Sequence, residues 1–160
     1  MANQADILLD VEDVKIYYPV AGKKFGTMDY VKAVDGVSFE VRRGEVFGIV
    51  GESGCGKSTL GRGICKLEQP TSGKIILDGE DISSYNDKQM RPVRKKVQMV
   101  FQDPYASLNP RMNVRQIIAE PLTTYGMAKD KQELEEQVRE LMKEVGIPTE
   151  FINRYPHQFS

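Results

Sequence analysis

Positions 51 to 59 read Gly-Glu-Ser-Gly-Cys-Gly-Lys-Ser-Thr, which fills the pattern G-x-x-x-x-G-K-[ST] without exception. A string of this kind asks for a tight, glycine-permitted turn between a strand and a helix, and few folds supply one. The glycines let the backbone curl inward, so N–H groups along Gly51, Ser53, Gly54, Cys55 and Gly56 converge where no side chain blocks an anion. A helix opening near Gly56 adds its positive dipole end and its unpaired N–H donors. Lys57 supplies a flexible point charge for β- and γ-phosphates. The Ser58 hydroxyl suits Mg²⁺, a hard cation that prefers oxygen, and Thr59 can donate to an α-phosphate. These residues together point to a nucleoside triphosphate with Mg²⁺. Glu52 lies inside the cradle, where a carboxylate would repel the ligand unless it points outward, so it is assigned no catalytic role.

The flanks fit the motif. Val46 to Val50 (VFGIV) is apolar without alternation, as expected of a strand buried on both faces of a parallel sheet. Lys57 to Glu68 carries Leu60, Ile64 and Leu67 at helical spacing, and Pro70 is expected to stop that helix. Upstream, Ile7 to Tyr18 is β-rich and is expected to end at Pro19. Val31 to Val41 alternates, and the two runs can pair as a hairpin across a polar, glycine-punctuated loop at 22–29. Lys74 to Leu77 and Val97 to Phe101 are further strand candidates. Beyond Gln102 the character turns helical: Val114 to Ala119 and Lys131 to Val145 read as helices. The second carries an apolar stripe of Leu134, Val138, Leu141, Met142 and Val145.

Composition sets limits on partners. A chain of 160 residues with 40% hydrophobic and 28% charged residues allows one domain with a real core. A net charge of -1 gives no electrostatic ground for nucleic acid, and the basic run Arg91 to Lys96 is short enough to be a solvated face. Cys55 and Cys65, on one expected helix, would be separated by about 15 Å of rise and cannot bridge. Both fit a reducing compartment. The first ten residues lack a basic flank followed by an apolar run, so no secretory leader is expected.

Several segments resemble one known family. The spacing from Gly51–Thr59 to Phe101-Gln-Asp-Pro104 resembles ABC-type ATPases. VKAVDGVSFEV, VFQDPYASLNPR and RYPHQFS look like the ATPase subunits of oligopeptide and dipeptide permeases (the peptide/nickel group). The resemblance covers nearly the whole chain, and Gln102 to Arg111 is its most specific element. It implies an α/β P-loop NTPase (ABC ATPase) core with an N-terminal antiparallel β subdomain at 1–101. A Q-loop and the start of a helical subdomain would follow at 102–160, the whole being an incomplete domain.

The resemblance also implies roles. Tyr18 matches the aromatic that stacks on adenine, with Tyr17 the fallback if the register slips by one; Val34 matches an apolar contact to ribose or base. Gln102 matches the glutamine that reaches Mg²⁺ and the attacking water, which makes it, with Lys57, a catalytic candidate and, with Ser58, a metal ligand. His157 belongs to the RYPHQFS segment and is read as structural. Implied partners are transmembrane permease subunits, a second ATPase subunit, and indirectly an extracytoplasmic peptide-binding protein. The implied location is the cytoplasmic face of the cell membrane.

The signature glycines, Walker B aspartate and adjacent glutamate of the family pattern do not occur in these 160 residues. Phosphoryl transfer needs positioned metal, water and charge together. Hydrolysis by this chain alone is therefore not expected, and the missing neighbour of the P-loop strand is expected to leave an apolar sheet edge that self-associates. Other P-loop classes fit less well: no guanine-reading Asn-Lys-x-Asp occurs, and no kinase lid is recognisable. A non-transport ABC protein or a regulatory nucleotide-binding module is the remaining alternative.

Overall fold

The computed structural model describes residues 6–22 and 27–159. The chain divides into two compact units, Met1–Met99 and Val100–Ser160.

The first unit is built on a long hairpin. Strands β1 (Ile7–Ala21) and β2 (Met28–Arg42) pair antiparallel, with Val11 opposite Phe39, Val14 opposite Val37 and Ile16 opposite Val34. β3 (Ser72–Leu77) adds to the other side of β1, and the short β4 (Glu80–Asp81) follows, giving the order β2-β1-β3-β4 with every pairing antiparallel. The expected end of β1 at Pro19 is not observed, for a local reason. Tyr17 directs its N–H to Thr71 Oγ1 on the β3 side (2.9 Å). Pro19, two residues on, turns its nitrogen the same way, beyond the last β3 pairing at Lys15, so no ladder bond is lost.

Helix α1 (Lys57–Ile64) lies on one face of this sheet, and a Cβ placed on its Gly63 would meet Ile16 Cδ1 at 2.6 Å. It ends earlier than the apolar spacing suggested. Lys66 adopts a left-handed φ of 55°, Leu67 N–H donates to Arg62 O and Lys66 N–H to Gly63 O, the bond pattern of a Schellman stop. Leu67 is consequently exposed. Lys66 is the buried charged side chain among the described residues; its ammonium donates to Ser83 O and Gln69 Oε1, and burial pushes its pKa down. Helix α2 (Asp87–Val93) starts on an Asn86–Gln89 capping box. Val11, Val14, Ile16, Val34, Leu60, Ile75, Ile82 and Met90 form the buried core.

Two expected strands do not form. Residues 46–50 and 97–101 pair with no strand among the described residues. Val46 is 98% exposed and Val50 92%, although Phe47 stacks on Phe39 with ring centroids 4.7 Å apart. An apolar run becomes a buried strand only where neighbouring backbones take up its N–H and C=O groups, and no strand among the described residues does so here.

The second unit is helical, with α3 (Pro104–Ser107), α4 (Val114–Thr124), α5 (Lys131–Glu144) and short 3-10 turns at Thr149–Asn153 and Pro156–Gln158. Asn113 with Gln116 caps α4, and Asp130 caps α5. Val138 and Met142 are fully buried against Leu122 and Ile152, with Leu134 packed beside them, while Leu141 and Val145 of the expected stripe face solvent. Glu135 accepts from Arg115 of α4 and Arg139 of its own helix at 2.5 and 2.9 Å, which pins the two helices side by side.

Candidate nucleotide-phosphate site

The loop ahead of α1 owes its shape to two glycines. Gly54 (φ 81°) and Gly56 (φ 97°) both occupy left-handed backbone, and Gly56 also lies against the Ala33 carbonyl and within 3.6 Å of Val34 Cγ2 as measured from a built Cβ. Cys55 N–H donates to Glu52 O (3.3 Å), closing the turn, and Leu60 N–H to Gly56 O (2.8 Å) is the first helical bond. α1 begins on Gly56 with no side-chain cap and no acid in its first turn. Its leading N–H groups are therefore left for an external acceptor, and the dipole there favours an anion. An Asp or Ser in that place would have satisfied the donors and blocked the site.

Lys57 folds back over this opening. Its ammonium donates to Gly51 O (2.8 Å) and Glu52 O (2.6 Å) and lies 3.5 Å from Cys55 Sγ. The Ser58 hydroxyl is exposed on the same first turn, with Thr59 half-buried beside it. Among the described residues no cluster of three His, Cys, Asp or Glu side chains offers a self-contained metal site. The side-chain oxygens on the first turn of α1 are hydroxyls, with Ser58 the exposed one. That suits a Mg²⁺ ion whose other ligands are phosphate oxygens and water.

Val34 is buried on β2 where that strand meets the loop, and a cavity of about 370 Å³ opens there, lined by Lys32, Val34, Asp35, Val50, Cys55 and Lys57. Tyr18 lies two residues beyond Ile16 on β1, on the sheet face that carries α1, with 36% of its surface exposed. Tyr17 faces the other way and is engaged. Its hydroxyl donates to Asp35, and the Lys32 ammonium sits 5.2 Å from its ring and 3.2 Å from Asp35 Oδ2. The Asp35 carboxylate raises the Tyr17 pKa, and the Tyr17 and Lys32 bonds lower that of Asp35.

Gln102 belongs to the second unit, in an exposed turn just ahead of Asp103, whose carboxylate accepts from Tyr105 and Ala106 N–H. The loop and Gln102 are thus carried by separate compact bodies. His157 stacks on Tyr155 at 5.8 Å in the 3-10 turn. The basic run is largely engaged: Arg94 pairs with Asp87 and Lys96 with Asp78. Sequence reasoning missed Ala33, whose carbonyl shapes the loop. A backbone contact between β2 and Gly56 leaves no residue-type signal.

A family profile described as ABC transporter matches residues 34–160. The oligopeptide transport ATP-binding protein AppF of Bacillus subtilis is 51% identical over 99% of this chain and 48% of its own length. The oligopeptide transport ATP-binding protein OppF of Salmonella typhimurium is 44% identical, again over 99% of this chain and 48% of its own. The chain spans about half the length of the curated relatives it matches. Among solved structures, the dimeric post-hydrolysis state of the ATP-binding cassette MJ0796 with ADP and Pi matches at a TM-score of 0.79 and 26% identity, covering 96% of this chain and 63% of that one.

Proposed function

This chain belongs to the ABC transporter family, and from that premise we propose that it binds Mg·ATP on the loop Gly51–Thr59 and serves in an ATP-binding subunit that powers peptide uptake. The observation that carries the reading is the glycine-capped, acid-free start of α1 with Lys57 folded over it. The Gly51 and Glu52 carbonyls hold the ammonium where triphosphate oxygens would take it over. The Ser58 hydroxyl would hold Mg²⁺, which spreads the charge of the β- and γ-phosphates, while N–H groups along 51–59 take the remaining oxygens. Tyr18 would stack on the base and Val34 line its apolar edge. Gln102 is proposed to orient the attacking water and to report nucleotide state to the helical unit.

The proposed partners are membrane-embedded permease subunits and a second ATPase subunit, with the chain peripheral to the cytoplasmic face of the membrane. No helix among the described residues is long and apolar enough to cross a membrane, so contact with one would run through partners. An apolar groove of about 350 Å³ in the second unit, lined by Tyr105, Leu108, Ile117, Ile147 and Phe159, supports a protein-docking role for that unit. The peptide class of cargo rests on the relatives' names alone.

Equilibrium binding of Mg·ATP to the chain and to its Lys57→Ala variant tests the core of this reading. Loss of one charge-assisted contact set should weaken binding about 10- to 100-fold. Equal affinity in the two proteins would overturn it.

A further inference from the structure

The hairpin contains an irregularity next to the loop. Ile16 faces Val34, but Tyr17 faces Lys32, so Ala33 is an extra residue on β2. In an unbroken register Tyr18 would stand opposite Lys32. With the bulge it stands opposite Val31, and directly opposed residues share a face. Lys32 is moved instead to the far face, over the Tyr17 ring and against Asp35. The same bulged residue presents its carbonyl to Gly56. One inserted residue therefore does two jobs: it seats the loop, and it separates an apolar Tyr18–Val31 pair from a charged Tyr17–Lys32–Asp35 cluster.

The Tyr18–Val31 pair lies on the α1 side of the sheet. It is one side-chain step, about 7 Å along the strand, from the Ile16–Val34 pair over which α1 crosses. Its surface is open, Val31 being 53% exposed. Solvent-facing Val beside Tyr is an apolar shelf on the same two strands whose Ala33 and Val34 lie against Gly56 of the loop.

We infer that Val31 is a specificity residue for the base: it extends the Tyr18 ring into a two-residue shelf, and the Ala33 bulge is what brings it there. The shelf recognises a planar aromatic base by apolar contact and contributes nothing to phosphate binding. This inference rests on the loop being an ATP site.

The test compares Mg·ATP with Mg-tripolyphosphate, which has the phosphates and no base, on the wild-type chain and on Val31→Ser, Val31→Ile and Lys57→Ala. Val31→Ser should weaken ATP about fivefold, from lost apolar contact, and leave tripolyphosphate unchanged. Val31→Ile should keep wild-type ATP affinity. ATP binding within twofold of wild type in Val31→Ser, with Lys57→Ala still defective, would overturn the shelf and spare the loop reading. A parallel loss of ATP and tripolyphosphate in Val31→Ser would overturn it too, because it would mark a fold defect rather than base contact. If Lys57→Ala binds both ligands as the wild type does, the loop reading fails and the shelf fails with it.

Discussion

The carbonyl oxygen of Ala33 occupies the space that a Cβ on Gly56 would need. Strand β2 and the glycine-rich loop ahead of α1 thus touch backbone to backbone, and the loop is seated on the strand rather than merely preceding a helix.

Gly56→Ala should therefore fail twice over, from left-handed backbone and from collision with a carbonyl that cannot move away. Gly44, also left-handed at φ 74° but with nothing within 4 Å of a built Cβ, isolates the first effect. Urea denaturation should show Gly44→Ala destabilised by about 1 kcal/mol and Gly56→Ala by more than about 2 kcal/mol. Equal losses would mean that β2 yields and the contact is soft.

Asp78 joins two segments of the first unit, accepting from Arg43 with one oxygen and from Lys96 with the other (2.7 Å). Lys96 first and Arg43 second hold its pKa below the ordinary aspartate value of about 4. The unfolded chain therefore binds a proton more readily than the folded one. The resulting stabilisation is complete above about pH 4 and fades as pH falls through the lowered folded value. Denaturation midpoints should place Asp78→Asn below wild type at pH 7, with the gap closing in acid. A gap that stays constant with pH would assign the loss to something other than this ion pair.

Val46 stands 98% exposed in an apolar run that pairs with no strand among the described residues. Open backbone groups and bare apolar side chains invite pairing between molecules. Light scattering should show the wild-type chain associating as concentration rises and Val46→Lys doing so less, with no change in thermal midpoint. A monodisperse monomer at high concentration in both would count against it.

The readability of this chain from sequence tracks how local each feature is. The hairpin was legible from alternation at Val37, Phe39 and Val41, and the start of α1 from the glycine-lysine string, because each depends on neighbours a few residues away. The end of α1 was not, since the stop is Lys66 in a conformation usually left to glycine, its ammonium held by a part-buried bond to the Ser83 carbonyl seventeen positions on. Resemblance alone favours Tyr18 over Tyr17, and only the strand register shows that Tyr17 is given to Asp35 while Tyr18 is left exposed. Residues 46–50 and 97–101 misled in the other direction: their apolar character calls for burial, but burial needs partner backbones that composition does not reveal.

By itself the sequence determined the glycine-lysine loop proposed as a phosphate cradle. Glycine where the backbone must turn left-handed, lysine, and an adjacent hydroxyl are chemical requirements met within Gly51 to Thr59. Tertiary structure alone decided what surrounds that cradle. Pairing of β1 with β2, through one extra residue at Ala33, sets which side chains share a face. A strand's faces alternate residue by residue, so a single bulge reverses the assignment, and no local pattern records it.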